Sequence, residues 1–199
     1  MSNDSGASAG PELQALVRRV EEDTVRWLER AVIGLNLCPF AKAVHARRQI
    51  HYVVCACDDE TELMETLLRE AQALLDREPA VRDTTLVMAP CLLADFLDFN
   101  DFTARAERRL ARAGFEGMLQ LASFHPRFQF AGSEENDITN ATNRAPYPTL
   151  HLLREDSVDK AVAAFPDAAA IYERNVATLE GLGAAGWDAL DVGPRGDGR

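Results

Sequence analysis

The sequence predicts an α+β fold, an α/β sandwich in which a mixed, roughly four-stranded sheet is covered by helices. Three observations lead there. β-rich runs alternate with helix-period segments in the order β-α-β-α-β, the pattern of parallel strands joined by right-handed helical crossovers. A further apolar run at 149–153, after a long polar connection, supplies one more strand, expected to be antiparallel. Finally, 47% apolar and 27% charged residues over 199 positions are those of a globular chain that buries a core without disulfide or metal. Helices on one face would give a sandwich, with which a ferredoxin-like core is compatible; helices on both would give three layers. The sandwich with extra helices is the expected arrangement.

Residues 1–9 are small and polar and read as a disordered tail. Pro11 then suits a first helical position, and Leu13, Leu16, Val17, Val20, Trp27, Leu28, Ala31 and Leu35 trace one helix face up to Pro39. The run IHYVVCAC at 50–57 is a strand. Asp58 or Asp59 caps the next helix, whose buried face is Leu63, Leu67, Ala71, Leu74 and Leu75. TTLVMA at 84–89 is a continuously apolar strand, as suits burial on both faces.

A third helix spans about 92–113, with Arg105, Arg108, Arg109 and Arg112 outward and Gly114 at its C-cap. A strand follows at 117–123. After the strand at 149–153, Ser157 opens a short helix that Pro166 ends, and Asp167 caps a last helix closing near Gly181 and Gly183. One domain over 10–187 is expected, with 188–199 as a flexible tail.

A formal net charge of −11 opposes binding to phosphate backbones and anionic membranes, so neither a nucleic acid nor a membrane is an expected partner. The N-terminus has no basic leader followed by an apolar core, and no run reaches the roughly 18 apolar residues of a membrane span. A cytoplasmic location follows as the expectation, with the four cysteines as free thiols.

The segment from Phe124 to Pro148, FHPRFQFAGSEENDITNATNRAPYP, is where a site is expected. So long an irregular connection is uncommon in a small domain unless it binds something, and its aromatic residues give it anchors. His125 and His151 flank it at strand ends and suit proton transfer near neutral pH. Arg144 suits a carboxylate or phosphate, with Asn143 and Tyr147 beside it in a segment stiffened by two prolines; it could instead pair with Asp95, Asp98 or Asp101 and pin the loop.

Cys38 lies in GLNLCPFAK. At the end of the first helix its thiol is inert; if Pro39 opens a new helical turn, Cys38 is its N-cap and the thiolate is favoured, with Lys42 one turn on. Cys55 and Cys57 share a strand face and read as core packing rather than a metal pair, since no second ligand pair accompanies them. No metal site is expected.

The segments GLNLCPFAKA, LADFLDFNDF, LASFHPRFQFAG and TNRAPYPTLHLLRE together resemble the uncharacterised bacterial family catalogued as domain of unknown function 1415, over roughly Val17 to Trp187. The resemblance implies one compact cytosolic bacterial domain and carries over no activity, cofactor or catalytic residue.

The functional expectation is a small-molecule enzyme of undefined reaction and cofactor. Cys38 would be nucleophile and His125 its proton partner, with Lys42, Asn143, Arg144, Tyr147 and His151 around the substrate. The alternatives are a non-catalytic binding module for a small anionic metabolite and a protein-interaction domain docking through Phe128, Phe130 and Tyr147.

Overall fold

A computed structural model describes residues 10–164 and 168–196. Helix α1 (Pro11–Trp27) opens on proline and continues as a π-helical turn through Leu28–Ile33. Gly34 is required where that wider turn ends. Its N–H donates to Glu29 O at 3.0 Å, and a Cβ there would lie 2.2 Å from Arg30 O. The short α2 (Ala41–Ala46) follows, then β1 (Ile50–Val54), α3 (Glu60–Leu75), β2 (Thr84–Met88), α4 (Phe96–Arg112) and β3 (Leu119–Phe124). A 3₁₀ turn at Ile138–Asn143 interrupts the long connection before β4 (Thr149–Arg154), α5 (Glu155–Ala164) and α6 (Ala168–Ala189). The expected stop at Pro166 and cap at Asp167 lie outside the described residues, as do the tail at 1–9 and residues 197–199.

The sheet is mixed, in the order β1-β2-β4-β3. β1 and β2 are parallel, and β4 runs antiparallel between β2 and β3. The strands and their mixed directions are those the sequence predicts. The helices, however, cover both faces, so three layers replace the one-sided sandwich. Val20 of α1 packs on Leu86 and Met88, while Val87, Leu150 and Leu152 face Leu63, Leu67, Phe99 and Phe102 of α3 and α4. Alternation along β2 divides the two cores, and burial of every residue of β2 follows.

Helix boundaries shift where capping chemistry decides them. α4 begins at Phe96, because the Asp95 carboxylate accepts from Leu97 N and Asp98 N at 2.8 and 3.3 Å. Asp59 caps α3 through Thr61 N at 3.0 Å. α6 does not close at Gly183; the backbone breaks there in the left-handed region, at φ 66°, and helix resumes to Ala189.

Residues 188–195, expected as a flexible tail, are held against α1. Arg26 donates to Asp191 O and Gly193 O at 2.7 and 2.6 Å, Arg30 donates to Leu190 O at 2.9 Å, and Val192 is buried. Apolar Trp187, Leu190 and Val192 join the Trp27 cluster, which accounts for the order.

Candidate functional site

The long connection folds back on itself as a hydrogen-bonded unit. Asn140, with no exposed surface, accepts from Phe130 N and Ser133 Oγ and donates to Glu134 O. Phe128 packs on Phe96 and Phe130, with ring centroids 5.1 and 5.0 Å apart. Leu179 of α6 closes over Ala141 and Leu37. The aromatic residues expected on a docking face are thus engaged within the molecule.

The residues expected to do chemistry are engaged in the same way. His125 is fully buried against Phe96 and Phe99 of α4. Its Nδ1 accepts from Arg127 N at 3.0 Å, and its Nε2 donates to Leu93 O at 2.9 Å. These bonds set one neutral tautomer and occupy both nitrogens. Burial holds the imidazole pKa below its ordinary value, against the opposing pull of the Leu93 carbonyl.

Cys38 lies on the other face of the sheet, half-buried beside Trp27, Tyr52 and Phe124. Phe124 and His125 are consecutive at the end of β3 and point to opposite sides, which carries the histidine away from the thiol. Among the described residues no hydrogen bond joins Cys38 to a histidine. Phe40, not Cys38, is the N-cap of α2, and that helix has only six residues. The expected Cys38–His125 pair is therefore not brought together.

Arg144 pairs with none of the three aspartates. It donates to Glu135 O at 2.6 Å and Phe128 O at 3.4 Å, pinning the loop through backbone. Burial lowers its pKa, with Glu135 and Asp137 acting in the opposite direction. Asn143 Nδ2 donates to Ser123 O at 3.1 Å, and the Asn143 carbonyl accepts from His125 N at 3.1 Å. Tyr147 donates to the buried Asp23. Lys42 stands exposed on α2.

His151 Nε2 is 2.5 Å from Thr84 Oγ1. That hydroxyl already donates to Leu152 O at 2.6 Å, so it accepts from the ring and places a proton on Nε2. Burial pushes the His151 pKa down to about 4. The ring packs on Phe124 within the α1-side layer, away from His125. Cys55 and Cys57 pack in the core as expected, each 6% exposed, but they are joined as a disulfide rather than free.

A different set of side chains does converge. Arg105, Arg108, Arg109 and Arg112 of α4, with Met64 of α3, line a concavity of about 350 Å³. Their spacing places all four guanidinium groups on one stripe. Arg105 pairs with Glu60 at the start of α3 and lies 5.5 Å from the centre of the Phe102 ring. No ion pair is made by Arg108, Arg109 or Arg112 among the described residues. The i, i+3, i+4, i+7 spacing was visible in the sequence, but the groove was not, since Met64 comes from another helix.

Among the described residues no three histidine, cysteine, aspartate or glutamate side chains gather as a metal site, and no helix is long and apolar enough to cross a membrane. No curated protein and no solved structure matches the chain significantly. A family model described as "Protein of unknown function (DUF1415)" matches residues 19–189. That match runs from the middle of α1 to the end of α6 and takes in the whole sheet, and the chain belongs to the DUF1415 family.

Proposed function

We propose that this chain is a non-catalytic binding domain for a small, multiply charged anion, seated in the groove between α3 and α4. The observation that carries this reading is four guanidinium groups on one concavity, with Glu60 their single carboxylate partner among the described residues, in a chain of net charge −11. Like charges on one stripe repel unless a counter-charge sits among them. Arg109 and Arg112 also suit the negative end of the α4 dipole, but Arg105 and Arg108 lie further from it.

A small polyanion fits better than a nucleic acid, because the acidic remainder of the surface repels a long phosphate backbone. Guanidinium groups offer paired donors to phosphate or carboxylate oxygens. A cytoplasmic, bacterial setting belongs to the same proposal. The thiol–histidine enzyme receives no support from the separation of Cys38 and His125 across the sheet.

Isothermal titration with inorganic pyrophosphate tests the reading. Saturable one-to-one binding is expected, weakened by added salt and by about tenfold or more in Arg109→Glu, through loss of a charge-assisted bond. Heats with no saturation, or an affinity that Arg109→Glu leaves unchanged, overturn it.

A further inference from the structure

We propose that Cys55 and Cys57 form a reversible dithiol–disulfide couple that exchanges with low-molecular-weight disulfides at the carboxyl end of β1. The two Cα atoms are 5.2 Å apart, within the span a disulfide requires, and the sulfurs are joined. Only Ala56 separates the two residues in sequence, so their side chains leave the chain on one side.

The bond is poorly suited to serve as a staple. A cross-link stabilises by restricting the unfolded chain, and that effect shrinks with the size of the loop it closes. Here the loop holds one intervening residue, close to the smallest a chain can form. The two cysteines sit in a buried core with Leu63, Leu67, Phe99 and Phe102, whose apolar packing surrounds the bridge. A bridge that adds little to the fold can be broken and remade without loss of structure.

Both redox states are housed. Cys55 Sγ lies 4.0 Å from Thr66 Oγ1, so the reduced thiol has a hydroxyl acceptor inside an otherwise apolar cluster. The pair also occupies a mechanically consequential position. Cys55 N donates to Met88 O at 2.8 Å, just past the β1–β2 ladder, and Asp59 caps α3 two residues beyond Cys57. Closing the bond restrains the link between β1 and α3; opening it releases that link. Exposed Cys91 follows β2 at the same end of the parallel strands, where sites on α/β sheets collect.

The chemistry balances as thiol–disulfide exchange. One protein thiolate attacks a sulfur of the external disulfide, forming a mixed disulfide and releasing one thiolate. The second cysteine then attacks the protein-side sulfur of that mixed bond and expels the other external thiolate. Two protein S–H bonds are lost, one protein S–S bond forms, and one external disulfide becomes two thiols. Reduction is the reverse.

The test equilibrates the native full-length protein in glutathione buffers from reducing to oxidising, then labels thiols with N-ethylmaleimide after acid quench and denaturation. At the oxidising end two of the four cysteines should escape labelling, and peptide mass spectrometry should place the missing pair at 55 and 57. Native dithiothreitol should restore four labels. Amide exchange over 55–61 should be faster in the reduced protein, and a Cys38→Ser, Cys91→Ser double variant should keep the response. Four labelled thiols throughout, a bond to Cys38 or Cys91 instead, or a pair that resists native dithiothreitol each overturns the proposal. All three outcomes are read on the wild-type chain, so none depends on a variant folding.

Discussion

The Tyr147 hydroxyl donates to Asp23 Oδ2 at 2.9 Å, joining residues 124 positions apart. Asp23 has no exposed surface, yet it also accepts from Arg26 at 2.7 Å, from Arg195 Nε at 2.7 Å and from Arg195 N at 2.9 Å. One buried carboxylate thus ties α1, the long connection and the C-terminal segment together. Burial raises its pKa, and the bonds from Arg195, Tyr147 and Arg26 outweigh that effect, so the net direction is down. Burial, and then the bond to Asp23, raises the Tyr147 hydroxyl to about 12.

Removing the carboxylate strands its donors. Asp23→Ala should cost roughly 3 kcal/mol in urea unfolding, the range for breaking a buried charged network. Tyr147→Phe should cost about 1 kcal/mol, because Arg195 N still serves the same oxygen. Equal losses for the two variants would contradict the shared node.

Loss of the Asp23 hub should also free the C-terminal segment. In Asp23→Ala, amide exchange should accelerate at 190–195 while β2, buried along its whole length, stays protected. Uniform acceleration across the sheet would show that global stability, not the strap, had changed.

Acid should destabilise the fold in two separate ranges. His151 and His125 have lowered folded-state pKa values, so the fold prefers their neutral forms. Their contribution is complete above the unfolded value of about 6.5 and is lost as pH falls, through about 4 for His151. Asp23 adds a second loss below its ordinary value of 3.8, as pH falls through its depressed folded value. Chemical unfolding measured from pH 7.5 to pH 4.5 should show stability declining, and His151→Gln should flatten the slope. A level profile in the wild type would show that the histidines are not held neutral.

Arg154 is 9% exposed and donates to Leu74 O, to Arg77 O at 2.5 Å and to Arg82 O at 3.2 Å. It satisfies carbonyls at the end of α3 with a cation suited to the negative helix terminus. Arg154→Met should cost roughly 2–3 kcal/mol, and Arg154→Lys should recover only part of it, because an ammonium cannot span the same carbonyls. Full recovery by lysine, measured in the same unfolding assay, would show that charge alone suffices.

Much of the fold was legible because its signals are local. The apolar period of Leu63, Leu67, Ala71 and Leu74 identifies α3, and the continuous run at 84–89 identifies a strand buried on both sides. The candidate site was legible as a location and not as chemistry. His125 reads as a titratable group at a strand end; its partner Leu93 lies 32 residues away, and nothing in the spacing reveals that both nitrogens are taken. Arg144 reads either as an anion anchor or as the partner of an aspartate on the third helix, and for the same reason neither reading reveals that backbone carbonyls at 128 and 135 hold it. The cysteine pair was seen on one face, but a bond between sulfurs is a matter of distance.

From the sequence by itself come the order of the elements, the apolar faces they present and the four arginines on a single helical stripe, because period and capping act over a few residues. The tertiary structure alone decided that helices cover both sides of the sheet. It also decided that Cys38 and His125 face away from each other, and that the arginine stripe meets Met64 in a groove. Those outcomes depend on how segments tens of residues apart come to rest, where hydrogen-bond partners and buried neighbours are chosen by position in space.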